Sequence, residues 1–156
     1  MVTLSPHVMK NLIVICFLLS TTAFSQQSSP ANPCPANAIS MSEMRGCADF
    51  EFEQADAHLN RVYEKVMRYM TDDLERAQKD GNRAQAVYAE TGITNLKKAQ
   101  GLWLSYRDAQ CEAARQRYDG GTMAPLIYAS CRKALTDHRI DDLKVTYAEE
   151  GSENLQ

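Results

Sequence analysis

From Met44 to Ala77 apolar residues return at steps of three and four, through Cys47, Ala48, Phe52, Ala55, Leu59, Val62, Tyr63, Val66, Met67, Met70 and Leu74, and charges such as Glu51, Arg61, Lys65 and Arg68 fill the positions between them. A period near 3.6 held for so long specifies one long amphipathic helix, and its single apolar face has to be covered by other helices of similar length. Ser40 stands three residues before Glu43, the spacing at which each side chain satisfies a free amide at a helix start. The helix should end near "KDGN", where Lys79 suits the negative end of the dipole and Gly81 can take the left-handed conformation that closes it.

A second helical region runs from about Arg83 to Tyr118, with Leu96, Ala99, Trp103, Tyr106, Ala109, Cys111, Ala114 and Tyr118 on its apolar or half-apolar face. Gly92, flanked by Thr91 and Thr94, predicts a break within it, because glycine costs about 1 kcal/mol relative to alanine in a helix interior. Asp119-Gly120-Gly121 closes this region, Thr122 caps the next helix, and Pro125 fits its first turn, where amides have no helical partner. The third helix runs to about Tyr147 with Leu126, Ile127, Cys131, Ala134, Leu135, His138 and Leu143 facing inward. No strand alternation is present, so the expected fold is all-α: antiparallel hairpins of three long helices, the second broken near Gly92.

How the cysteines are used depends on the compartment. Lys10, the apolar run over 12–19 and Ala23-Phe24-Ser25 form the pattern of a secretory signal peptide over residues 1–25, with Met9 a natural initiator. The run is too short to span a bilayer, so no membrane span is expected. A Ser/Pro/Asn-rich leader follows over 26–39, then a helical domain over 40–147 and a polar tail over 148–156. Removing the signal leaves about 130 residues, enough for one domain, in a periplasmic or secreted setting.

That domain contains Cys34, Cys47, Cys111 and Cys131, an even set that reads as a disulfide framework with three possible connectivities. Cys111 lies eight residues before Asp119 and Cys131 nine after Thr122, so both sit roughly 12 to 14 Å from the turn of a helical hairpin, at the same height. Cys111 is therefore expected to pair with Cys131, and Cys34 with Cys47, the second bond folding the leader over the first turns of helix one.

The segments "CPANAISMSEMRGCADFEFEQADAHLNRVY", "LKKAQGLWLSYRDAQCE", "YDGGTMAPLIYASC" and "TDHRIDDL" carry a set of motifs. These are E-M-x-x-C-A, A-D-x-x-L-N, A-Q-x-x-W-x-x-Y-R-D-x-x-C, G-G-T and C-x-x-x-x-T-x-x-R-x-x-x-L. From Cys34 to about Leu143 the chain resembles the small secreted bacterial domain of LprI-type lysozyme inhibitors, a family long catalogued as a domain of unknown function. The resemblance implies a helical domain and, for the namesake, inhibition of lysozyme; it brings no site residues with it.

The chemistry of an enzyme is missing. There is no G-x-S-x-G elbow, H-E-x-x-H or glycine-rich phosphate loop. Cys131 and His138 are two helical turns apart, roughly 10 Å, too far for a nucleophile and its base. Cys111, Cys131 and His138 lack the short C-x-x-C spacing of a zinc site, so neither metal nor cofactor is expected. Arg107, Asp108 and Arg139 are expected to anchor hydrogen bonds between helices, Arg107 or Arg139 reaching Asp56 or Asp108, and Trp103 to lie in the core. "RQRYDGGTMAP" offers exposed backbone at the end of a disulfide-fixed hairpin, which makes Tyr118, Asp119 and Thr122 the candidate partner-binding residues. The formal net charge of −3 and a pI near 5.6 argue against nucleic acid and are compatible with a basic partner, and the resemblance implies a protein partner, a basic lysozyme among them. The same fold would serve a cell-envelope interaction domain with a different partner.

Overall fold

The computed structural model describes residues 40–147 together with Cys34 and Asn37. The signal peptide expected over 1–25, nearly all of the leader over 26–39 and the tail over 148–156 lie outside the described residues. Three helices follow one another: α1 Met41–Lys79, α2 Arg83–Gln116 and α3 Met123–Thr146. The all-α expectation holds.

Helix α1 starts on the reciprocal Ser40–Glu43 box: Glu43 N donates to Ser40 Oγ at 3.2 Å, and Ser40 N donates to Glu43 Oε2 at 3.0 Å. It ends at Lys79, and Gly81 takes a φ of 69°, as the left-handed turn requires. Asn82 caps α2 by accepting the Gln85 amide at 3.2 Å. Asp56 on α1 meets Arg107 on α2, and Met70 meets Gly92, so the two helices run antiparallel in a single register. Helix α3 returns along both and packs most extensively against α1. Leu59, Val62, Val66, Leu96, Ile140 and Leu143 form the buried aliphatic core, flanked by Tyr63, Met67, Met70 and Trp103. No described helix is long and apolar enough to cross a membrane.

Four expectations need correction. Helix α2 runs unbroken through Gly92. The Met70 methyl from α1 packs over it, with Cε 2.9 Å from where a Cβ would lie, and packing overrides the poor helix propensity of this glycine. Thr122 precedes α3 in an α-helical conformation and makes no capping bond; capping needs an extended backbone that aims the hydroxyl at the free amides. Only one disulfide is formed among the described residues, Cys111–Cys131 with Cα atoms 5.5 Å apart, while Cys34 and Cys47 lie together as thiols. Finally, Ala99, Tyr106, Ala109, Tyr118, Ala134 and His138 are exposed, and the inner faces are instead completed by Gln100, Arg107, Thr136 and Ile140.

Candidate functional site

The α2–α3 hairpin tip is built by short-range bonds. Gly121 N donates to Tyr118 O at 3.0 Å, and Gly120 occupies a φ of 78° that a side chain would disfavour. Tyr118, Asp119 and Thr122 are all exposed there. Arg115 forks onto Glu112, with Nη2 to Oε1 at 2.6 Å, and reaches Asp119 Oδ1 at 3.5 Å. The Arg115 hydrogen bonds hold the Glu112 carboxyl below the usual carboxylate range. About two turns behind the tip the Cys111–Cys131 bond fixes the splay of the hairpin.

Beneath the disulfide lies a stack of guanidinium groups and rings. Arg132 on α3 sits between Tyr128 and Phe52, 4.3 and 3.9 Å from the ring centroids. Arg107 follows, 5.2 Å from both Phe52 and Trp103, and Arg139 lies 5.9 Å from the other part of the stack, the Trp103 ring. Cations over aromatic faces are attracted by the ring quadrupole, so three like charges are interleaved with negative surfaces. The stack is also hydrogen-bonded. Arg107, 7% exposed, donates to Asp56 at 2.6 Å, Asp108 at 3.0 Å and Thr136 Oγ1 at 3.3 Å. Arg139 Nε donates to Gln100 Oε1 at 3.1 Å. Arg132 Nε is shut from solvent with no hydrogen-bond acceptor, and the flanking rings are its surroundings.

Arg107 thus joins all three helices, with Asp56 from α1 and Thr136 from α3, whereas Asp108 remains half exposed at the edge of this network. The sequence reading named Arg107, Asp108, Arg139 and Asp56 and places Phe52 on the apolar face of α1, but it did not name Gln100, Arg132 or Thr136. A signal for one of them, Gln100, was present: Leu96, Gln100, Trp103, Arg107 and Cys111 step by four, three, four and four, which is one helix face once polar residues are admitted to it.

The first turns of α1 share this end of the bundle. With Asp56 level with Arg107, moving about a dozen residues along each helix brings Glu43 and Met44 beside the hairpin tip. Glu43, Asp49, Glu51 and Glu53 stand there against Arg45 alone on α1, which makes the flank of the tip acidic. Cys34 and Cys47 meet at the same end. A hydrogen bond that the Cys34 thiol donates to Cys47 and, to a lesser degree, burial push that thiol up to about 11, so it is protonated at neutral pH. The opposite end holds a cleft of about 490 Å³ between Tyr69, Asp73, Tyr88, Arg139 and Tyr147. The described residues contain no cluster of His, Cys, Asp and Glu with the geometry of a metal site.

The site's residues fall within a stretch shared with known proteins. The family described as Lysozyme inhibitor LprI matches residues 34–143. A curated relative from Rhizobium meliloti (strain 1021), Uncharacterized protein R02472, is 35% identical over 130 residues, covering 83% of this chain and 89% of the relative. Uncharacterized protein YecT of Escherichia coli (strain K12) is 24% identical over 115 residues, covering 66% of this chain and 67% of that protein. No solved structure matches the chain. The matched stretch opens at Cys34, closes at Leu143, and takes in the thiol pair, the arginine stack, the disulfide and the hairpin tip. The chain belongs to the LprI lysozyme inhibitor family.

Proposed function

We propose that this protein is a secreted or periplasmic, non-enzymatic binding module that inhibits a basic lysozyme by seating its α2–α3 hairpin tip in the enzyme's cleft. The observation that carries the reading is the family match over residues 34–143. The geometry adds two supports. The tip is presented on a disulfide-fixed hairpin, which lowers the entropy lost on binding. The acidic first turns of α1 lie beside it, where they would attract a cationic partner. Charge at the tip itself is balanced, since Arg115 and Arg117 oppose Glu112 and Asp119. Tyr118, Asp119 and Thr122 therefore act by shape and hydrogen bonding, and α1 supplies the steering.

A lysozyme assay with a triple variant, Tyr118→Ser, Asp119→Ser and Thr122→Ala, tests this. Inhibition should disappear while helix content and the Cys111–Cys131 bond stay intact. Full inhibition by the folded triple variant would exclude the tip, and no inhibition by the unaltered protein would discard the lysozyme reading for the enzymes assayed. Inhibition should also weaken as the Debye length falls from about 10 Å at 0.1 M salt to about 3 Å at 1 M.

A further inference from the structure

The outer side of α2 carries a second apolar stripe that the bundle leaves uncovered. Ala99, Leu102, Tyr106, Ala109 and Ala113 follow one another at alternating steps of three and four. All five are exposed, Leu102 by 63% and Tyr106 by 54%. At 3.6 residues per turn the stripe lies about a third of a turn away from the buried line through Leu96, Trp103 and Cys111. No charged residue falls on it; Lys98 and Glu112 border it on the side away from the bundle.

The sizes along the stripe read the same in both directions: small, large, large, small from Ala99 to Ala109. We propose that the stripe pairs with its counterpart on a second copy of this chain, the two α2 helices antiparallel about a two-fold axis that passes between Leu102 and Tyr106. The contact is isologous, so each pairing occurs twice. Leu102 of one copy packs on Tyr106 of the other, and Ala99 lies against Ala109, where small side chains let the backbones approach. Lys98 comes within about 3 Å, along the axis, of the level of the other copy's Glu112, an offset that a lysine side chain spans. Glu112 already holds Arg115, and its two oxygens can serve both cations. Farther along, Tyr88, 75% exposed, draws level with the second copy's hairpin tip, where Tyr118 and Met123 are 42% and 39% exposed. One axis thereby covers five of the eight large apolar side chains exposed among the described residues. A parallel pairing would instead put Lys98 level with Lys98 and leave Glu112 without an opposite charge. This self-association requires no lysozyme, and because it sets Tyr88 of one copy against the hairpin tip of the other it competes with the seating of Tyr118 in a cleft.

Sedimentation velocity of the purified protein over a concentration series, with no lysozyme present, measures it. A monomer–dimer equilibrium is expected in the micromolar range. Leu102→Glu, or Tyr106→Glu if the first variant loses helix content, should weaken the dimer about a hundredfold by burying a charge at the axis. Leu104→Glu, on a different side of α2, should leave it unchanged. Lys98→Glu should weaken it about twofold to tenfold at low salt, because two symmetric pairs are lost, and adding Glu112→Lys should restore part of that loss. A monomer at every concentration, a dimer indifferent to both Leu102→Glu and Tyr106→Glu, or a double reversal no tighter than Lys98→Glu would overturn the proposal.

Discussion

Between Leu59 and Val66 the three helices meet across the aliphatic side chains of Leu96, Ile140 and Leu143. Nearer the hairpin tip the same helices meet across Asp56, Arg107 and Thr136, with Phe52, Trp103, Arg132 and Arg139 stacked around them. The aliphatic segment gains its energy from area removed from water, which depends little on direction. The arginine segment depends on geometry, because a buried cation that loses its partner has no other way to be satisfied. The first fixes that the helices stay together, and the second restricts how they are set around the tip.

Trp103 belongs to both segments, packing against the aliphatic core while its ring faces Arg107 and Arg139. Trp103→Ala should therefore have the largest effect, lowering stability by about 3 to 5 kcal/mol in denaturant titration. Arg107→Ala should cost about 2 to 4 kcal/mol, less than a fully enclosed pair would, because Asp56 keeps 35% of its side-chain surface in water. If the segments differ as described, Arg107→Lys should recover little of that loss, since an ammonium cannot reach Asp56, Asp108 and Thr136 together. A full rescue by lysine would show that charge alone matters.

Replacing Cys111 and Cys131 by serine should lower stability by about 3 kcal/mol in the chain-entropy treatment of a 20-residue separation. Hydrogen exchange should rise first in the last turns of α2 and the first of α3, while the aliphatic segment stays protected. Equal loss of protection along the whole bundle would erase the distinction between the two segments.

The smallest effect concerns His58, whose pKa is lowered by burial and then by the nearby Lys144 and Arg61 cations. Its folded form prefers to be neutral, so the unfolded chain takes up the proton more readily. The contribution is present above the ordinary value of 6.5 and is lost as pH falls below it. His58→Gln should flatten the stability profile between pH 7 and 5.

What could be read from the sequence follows the same division. The Ser40–Glu43 box, the Gly81 turn and the Cys111–Cys131 pairing depend on residues close in sequence or on simple symmetry, and all three appear as expected. The aliphatic face of α1 was legible because apolar letters mark it directly. The inner face of α2 was legible only in part: Leu96, Trp103 and Cys111 lie on it as expected, but Tyr106 was placed there too, although it differs from Arg107 by one step, and one step is 100° of rotation. Hydrophobicity chose Tyr106, whereas Asp56 and Thr136, 51 and 29 residues away in the chain, chose Arg107. Gly92 was misread for the same reason: its partner Met70 lies on another helix. At the tip, Tyr118, Asp119 and Thr122 are exposed side by side, although Thr122 does not cap its helix.

The pairing of α1 chiefly with α3 also sets an order of events. A chain made from its N-terminus completes its longest helix first and that helix's main partner last. Leu59, Val62 and Val66 can meet Leu96 once α2 is made, but they stay partly uncovered until Ile140 and Leu143 have been synthesised, whereas Cys111 and Cys131 need only the local hairpin between them. Oxidation of the hairpin can precede docking of α1, and the interval between the two is when the nascent protein is most exposed to aggregation and most in need of a holding chaperone.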